Sequence, residues 1–218
     1  MKLVRLAVAT ALGASALVAV QANAASKPPC KIVTDAAGDA FLLLGAGPTS
    51  NSLDITSADI AADKKRVTVV IRVKKLAAMD PTFSPTGQQW TFGFAADGTS
   101  FDLTAFSDPV GATTFQASYS APTGGQIYGG GVTGAFDLAK NEIRMTAELA
   151  LFAAQATIKT GTKFTALSAS AGAIVAIKDP AGVLTQGALL TLNPPANDTA
   201  TSAKTYVVGS KTCVAVGK

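Results

Sequence analysis

The segment Val67-Thr68-Val69-Val70-Ile71-Arg72-Val73-Lys74 puts Val67, Val69, Ile71 and Val73 on one side of the chain and Thr68, Val70, Arg72 and Lys74 on the other. A period of two belongs to an extended strand, whose successive side chains point to opposite faces, and not to a helix with its period of 3.6. The same alternation recurs on both sides of this segment. Trp90, Phe92 and Phe94 share a face opposite Thr91, Gly93 and Ala95, and Ile143, Met145, Ala147 and Leu149 face away from Arg144, Thr146 and Glu148. Turn signals separate the runs: Asp63-Lys64-Lys65, Asp97-Gly98, Ala139-Lys140-Asn141 and Asp179-Pro180-Ala181-Gly182. Asp97-Gly98 between two aromatic-rich runs predicts a hairpin, because that pair tolerates the positive φ angles of a type I' turn.

Short strands at near-regular spacing, with abundant Thr, Val and Gly, predict an all-β fold, an antiparallel two-sheet β-sandwich with at most one short helix. The helix would fall within 148–155, where Ala and Leu are concentrated. The stretches 80–88, 120–131 and 179–205 are rich in Pro, Gly, Ser and Thr and read as loops, the last with room for one more strand around Ala188 to Leu192. No repeat and no interdomain linker divides residues 25–218, which predicts one domain.

Two cysteines stand near the ends, Cys30 and Cys213. A lone pair without Cys-x-x-Cys spacing fits neither a zinc site nor a redox motif, so one disulfide tying the first strand to the last is expected in an exported chain. Export is predicted by residues 1–24. Lys2 and Arg5 precede an apolar run, Leu6 to Val20, and Ala22-Asn23-Ala24 forms a small-x-small cleavage site. The run is about 15 residues long, short of the ~20 that span a bilayer, so cleavage near Ala24 and a secreted or extracytoplasmic chain without a transmembrane segment are expected.

The chain has no histidine, which removes Ser-His-Asp and Cys-His nucleophile systems, His-ligated zinc and an imidazole proton shuttle. Without Lys2 and Arg5, 16 of the 18 cations remain against 14 carboxylates, which is no nucleic-acid balance. Lys64, Lys65, Arg66, Arg72, Lys74 and Lys75 form the only basic cluster, lack interleaved aromatics, and read as a hairpin tip and the solvated face of a strand rather than a phosphate patch. A carboxylate pair such as Glu142 and Glu148 could serve glycoside hydrolysis, but sequence spacing gives that no support, so no enzyme activity is expected.

Asp35-Ala36-Ala37-Gly38-Asp39 follows a short strand at 31–34, and Asp54, Asp59 and Asp63 come after. Two Asp around a Gly can supply carboxylate and backbone oxygens to a hard cation such as calcium, and they equally suit a plain Asx turn. Phe83 and Tyr128 lie in Pro- and Gly-flanked stretches, where a ring can stack on a sugar or fold back over the open end of a sandwich.

D-A-A-G-D at 35–39, S-L-D-I-T-S-A-D-I at 52–60, R-V-T-V-V-I-R-V-K-K-L at 66–76 and W-T-F-G-F-A-A-D-G at 90–98 resemble, in order, the secreted β-sandwich domains related to DOMON and to family 9 carbohydrate-binding modules. G-A-F-D-L-A-K-N-E-I-R-M-T-A-E-L-A, G-T-K-F-T-A-L-S-A and N-D-T-A-T-S-A-K-T-Y-V-V-G are similar to the closing strands of that group. The resemblance implies a jelly-roll-like sandwich that binds sugars, or haem in some branches, with structural calcium at Asp35, Asp39 and Asp54. Two departures bear on this. Trp90 is the only Trp, so a clamp of paired tryptophans is not available, and its alternating strand places it in the core. Without His, only Met79 and Met145 remain as axial ligands, and no haem is expected. The leading expectation is a non-catalytic binding module with carbohydrate as the ligand class and a glycan or cell-surface partner. The alternatives are a structural or protein-interaction domain without a small ligand, and a His-independent enzyme.

Overall fold

The structure is a computed structural model and describes residues 30–40, 50–77, 87–108, 111–120, 126–174 and 198–217, with the backbone alone for 126–128 and 174. Residues 1–24, Met79, Phe83, the Asp179-Pro180 turn and the strand expected at 188–192 lie outside the described residues.

Among the described residues twelve strands form two antiparallel sheets, as the alternation predicts. The strands are β1 (Val33–Thr34), β2 (Ile55–Ala62), β3 (Arg66–Val73), β4 (Gly87–Ala96), β5 (Thr99–Ser107), β6 (Thr113–Ser120), β7 (Gln126–Gly129), β8 (Val132–Asp137), β9 (Glu142–Glu148), β10 (Lys163–Ile174), β11 (Asp198–Ser202) and β12 (Tyr206–Val207). The first sheet runs β1-β2-β3-β9-β8 and the second β11-β10-β4-β5-β6-β7, with β12 added to β10. Helical content among the described residues is one 3-10 turn, Leu149–Phe152, inside the stretch where a short helix is predicted.

Each inner face is the apolar half of an alternating run. Val67, Val69 and Ile71 of β3, Ile143 and Met145 of β9, and Trp90, Phe92 and Phe94 of β4 are all at most 2% exposed and share one core. Trp90 of the second sheet meets Phe136 of the first edge-on at 5.2 Å, and within the second sheet Phe94 stacks with its register partner Phe101 at 5.5 Å. Trp90 is core, as expected, and its indole N–H donates to the Ser52 carbonyl at 2.8 Å, which satisfies the one polar atom the ring buries. Asp97 and Gly98 close the β4–β5 hairpin with φ of +50° and +80°, the signs a type I' turn needs.

Three expectations are corrected. The stretch 120–131 is not all loop, because β7 pairs along Ala117 to Ser120 of β6. Similarly, β11 emerges from 179–205 by pairing with Leu167 to Ala171 of β10. Both strands are short and flanked by Gly, Pro, Ser and Asn, which mask the strand-favouring Ile127, Tyr128, Thr199 and Thr201, and pairing with neighbouring backbone extends them. The disulfide joins Cys30 to Cys213, but it does not tie paired first and last strands: β1 pairs with β2 and β12 with β10, in different sheets, and the bond links the chain ends beyond them. No helix among the described residues is long and apolar enough to cross a membrane.

Candidate functional site

At one end of the sandwich the segment 50–55 passes between the sheets. Ser52 hydrogen-bonds Gln88 of β4 there, and the Ile55 N–H donates to Asp198 Oδ2 of β11 at 2.6 Å. Asp198 is the first residue of β11 and has the same parity as the buried Ala200, which turns its carboxylate inward and leaves it 5% exposed. The turn after β1 brings Asp35 and Asp39 to the same place. One oxygen from each of Asp35, Asp39 and Asp198 lies within 4.8 Å of the others.

Sequence reasoning named Asp35, Asp39 and Asp54. The structure brings the first two together with Asp198, while Asp54 stands beside the group with its carboxylate already engaged. Gly38 N–H donates to Asp54 at 2.8 and 3.0 Å, and Lys74 Nζ lies 3.6 Å from Asp54 Oδ2. The fully buried Asp54 thus shapes the Asp35–Asp39 turn from below rather than lining the cluster.

Asp35 Oδ1 accepts from Ala36 N–H at 3.0 Å, whereas Oδ2 is buried and has no hydrogen-bond partner. Facing a second carboxylate, that oxygen gains a hydrogen bond only if the pair carries a proton. Burial pushes the Asp198 carboxyl up to about 7, and the charges of Asp35 and Asp39 add to this against the opposing Ile55 N–H. A proton or a cation answers the same need here. The donors are hard carboxylate oxygens, which would suit calcium or magnesium and not a soft metal.

The sign of the pH dependence follows. Unfolded Asp titrates near 3.9. Between about pH 4 and 7 the folded state holds a proton that the unfolded state has released, so this group's stabilisation is complete below about 4 and is lost as pH rises through about 7. In chelator the melting midpoint should fall between pH 5 and pH 8. Asp198→Asn should flatten that fall, because the amide keeps an oxygen for Ile55 N–H without a charge; an unchanged slope would remove Asp198 as its source.

The predicted basic cluster is dispersed. Arg72 Nη1 donates to the buried Asp59 at 2.6 Å and its Nε to Glu142 at 2.8 Å, Lys74 faces Asp54, and Arg66 turns to the outer face of the first sheet. Glu142 is therefore held by Arg72, while Glu148 is exposed. Met145 is fully buried in the core. The backbone of Tyr128 on β7 pairs with Ser118 of β6, and Phe83 lies outside the described residues.

On the outer face of the second sheet two rows of polar residues run across the strands. One is Thr199, Ser170, Thr91, Thr104 and Gln116, and the other Thr201, Ser168, Gly93, Asp102 and Ser118, which Tyr128 extends to the edge strand. Thr91 and Thr104 hydroxyls bond each other at 3.0 Å. Phe106 occupies the adjoining row between Gln89 and Thr114 and is half-buried. These rows were missed at the level of sequence, although the parity of Thr91 against Trp90 already assigns the face.

No protein-family model matches the chain, and no curated protein is similar enough to it to count as a relative.

Proposed function

We propose that the chain is an exported, non-catalytic binding module for neutral carbohydrate, with a structural calcium held by Asp35, Asp39 and Asp198. The outer face of the second sheet supports this most directly. Its two rows carry hydroxyl and amide groups across five strands, with Thr104 and Ser118 buried among the more accessible Thr91, Ser168, Ser170, Gln116, Thr199 and Thr201, and with Asp102 as the only charge. Such a surface lacks the cations that an anionic polymer needs and the apolar centre of a tight protein interface. It matches a ligand that presents hydroxyls of its own, with Phe106 in the adjoining row and Tyr128, by backbone register at the β7 end of the second row, as the candidate stacking residues. The resemblance of the strand motifs to DOMON and family 9 modules is in keeping with this ligand class.

A neutral-glycan array, followed by affinity electrophoresis in cellulose-, xylan- and β-glucan-containing gels, tests the ligand. Tyr128→Ala should weaken binding about tenfold, the effect of losing one stacking ring, and Gln116→Ala should weaken it less. Phe83→Ala probes the loop ring separately. Silence across the array would favour a protein-interaction domain instead.

Calcium is tested by melting. At about 100 times Kd a bound ion adds about 2.7 kcal/mol, which raises the midpoint of a domain this size by several degrees. The rise should be larger at pH 8 than at pH 5, where the ion must displace a proton, and Asp198→Asn should abolish it. An equal midpoint in chelator and in millimolar calcium at pH 8 removes the metal site.

A further inference from the structure

The first sheet carries a separate feature on its outer face. The tail after β12 crosses that face: Val214 packs on Ala61 and Val70, the Gly217 N–H donates to Thr68 Oγ1 at 3.0 Å, and the Ala215 carbonyl lies 3.4 Å from Arg144 Nη1. Between the tail and strands β8 and β9 it leaves a pocket of about 290 Å³, lined by Arg66, Arg144, Thr133, Thr146, Glu148 and Gly217 among others.

The three arginines of this face differ in what they hold. Arg72 is committed to Asp59 and Glu142 at 2.6 and 2.8 Å. Among the described residues Arg144 has only long polar contacts, 3.9 Å to Glu142 and 3.4 Å to the tail carbonyl. The Arg66 guanidinium has no ion pair with a described residue and lies close against Gly217, where a Cβ would overlap it. Two half-buried guanidinium forks, each with five N–H donors, thus border one pocket with most of those donors left to solvent.

We infer that this pocket binds a hydroxylated monocarboxylate of about the size of one sugar acid, its carboxylate on Arg66 and Arg144 and its hydroxyls toward Thr133 and Thr146. Guanidinium forks match carboxylate geometry. A monoanion is favoured over a dianion because Glu148 offsets one of the two cations, and the adjoining Asp59–Arg72–Glu142 group is itself negative. The volume exceeds what a bare carboxylate fills, and the threonines make the remaining wall polar. Since the face is near neutral overall, the ligand is held by directed donors and not by a long-range field, so affinity should change little with salt. The site is on the opposite sheet from the proposed neutral-glycan face and stands or falls without it.

Titration calorimetry of the disulfide-intact chain with galacturonate tests the site, with galactose as the neutral control and inorganic phosphate as the dianion. Galacturonate should bind and galactose should not, with phosphate weaker than galacturonate. Arg66→Gln and Arg144→Gln should each weaken binding about tenfold, the scale of one charge-assisted hydrogen bond. Glu148→Gln should tighten it a few-fold, an outcome that damage to the fold does not produce. Tyr128→Ala, which probes the other sheet, should leave galacturonate binding unchanged. Equal binding of galactose and galacturonate, no heat at 20-millimolar-scale galacturonate, or a Glu148→Gln variant that binds no better would each overturn the assignment.

Discussion

Phe92→Ala should cost ~3 to 5 kcal/mol of unfolding free energy, while Thr91→Ala, one residue away, stays within about 1 kcal/mol. Phe92 is fully buried in the middle of β4, with Ala169 of β10 and Leu103 of β5 as its register partners. Both neighbouring strands are fixed by pairing along their length, so the walls around an absent ring cannot collapse inward, and the residual cavity adds to the lost transfer energy. Thr91 lies on the outer face, where truncation removes its hydroxyl bond to Thr104 and little packing. Urea unfolding of the two variants measures the contrast. Domains of this kind hold only ~5 to 15 kcal/mol in all, so the Phe92 variant should be visibly marginal. Comparable losses at the two positions would mean that the faces of β4 have been exchanged, which a one-residue slip in register would do to every side chain on the strand.

That contrast rests on information the sequence carries locally. The β3, β4 and β9 strands were legible because Val67, Trp90 and Ile143 each begin an alternation that no helix can present as one face. The β7 and β11 strands were not, since Gln126–Gly129 and Asp198–Ser202 are four and five residues long and sit inside Gly-, Pro-, Ser- and Asn-rich flanks that hide their Ile, Tyr and Thr, and it is β6 and β10 beside them that complete the ladders. The candidate cation site divides along the same line. Asp35 and Asp39 are close in sequence and share a turn around Gly38. Asp198 reaches them only through the tertiary fold, and its one sequence signal is parity: a carboxylate on the same face of its strand as Ala200 points inward, where an acidic group needs a partner. Asp54 carried the more conspicuous motif, yet its position one residue before β2 buries it under Gly38 and beside Lys74. The Arg66–Arg144 pocket has a similar history. Parity puts both arginines on the outer face, but the pairing of Arg66 with Glu148 and the course of the tail belong to register and tertiary contact.

Replacing Cys30 and Cys213 together by Ser should lower stability by ~2 to 5 kcal/mol without changing the architecture. The two residues are 183 apart in sequence, and in the chain-entropy account closing a loop of that length restricts the unfolded ensemble by about 5 kcal/mol. The folded chain does not depend on the bond to place its ends. Tyr206 Oη accepts from the Ala62 N–H at 2.8 Å, Ser202 Oγ donates to the Ile32 carbonyl at 2.7 Å, and Val214 is buried on Ala61 and Val70. A bond that acts through the unfolded state leaves two signatures. Unreduced protein should show no free thiol, and the double variant should unfold with a steeper denaturant dependence, because its unfolded chain expands further and exposes more surface. A bond that acted by pinning the tail would behave differently: protease would clip residues 211–217 in the variant while the core midpoint stayed put, since local opening and global unfolding are separate equilibria. Loss of midpoint with a raised slope assigns the effect to the unfolded ensemble, whereas clipping with an unmoved midpoint assigns it to the tail and predicts that galacturonate binding at Arg66 and Arg144 is lost with it.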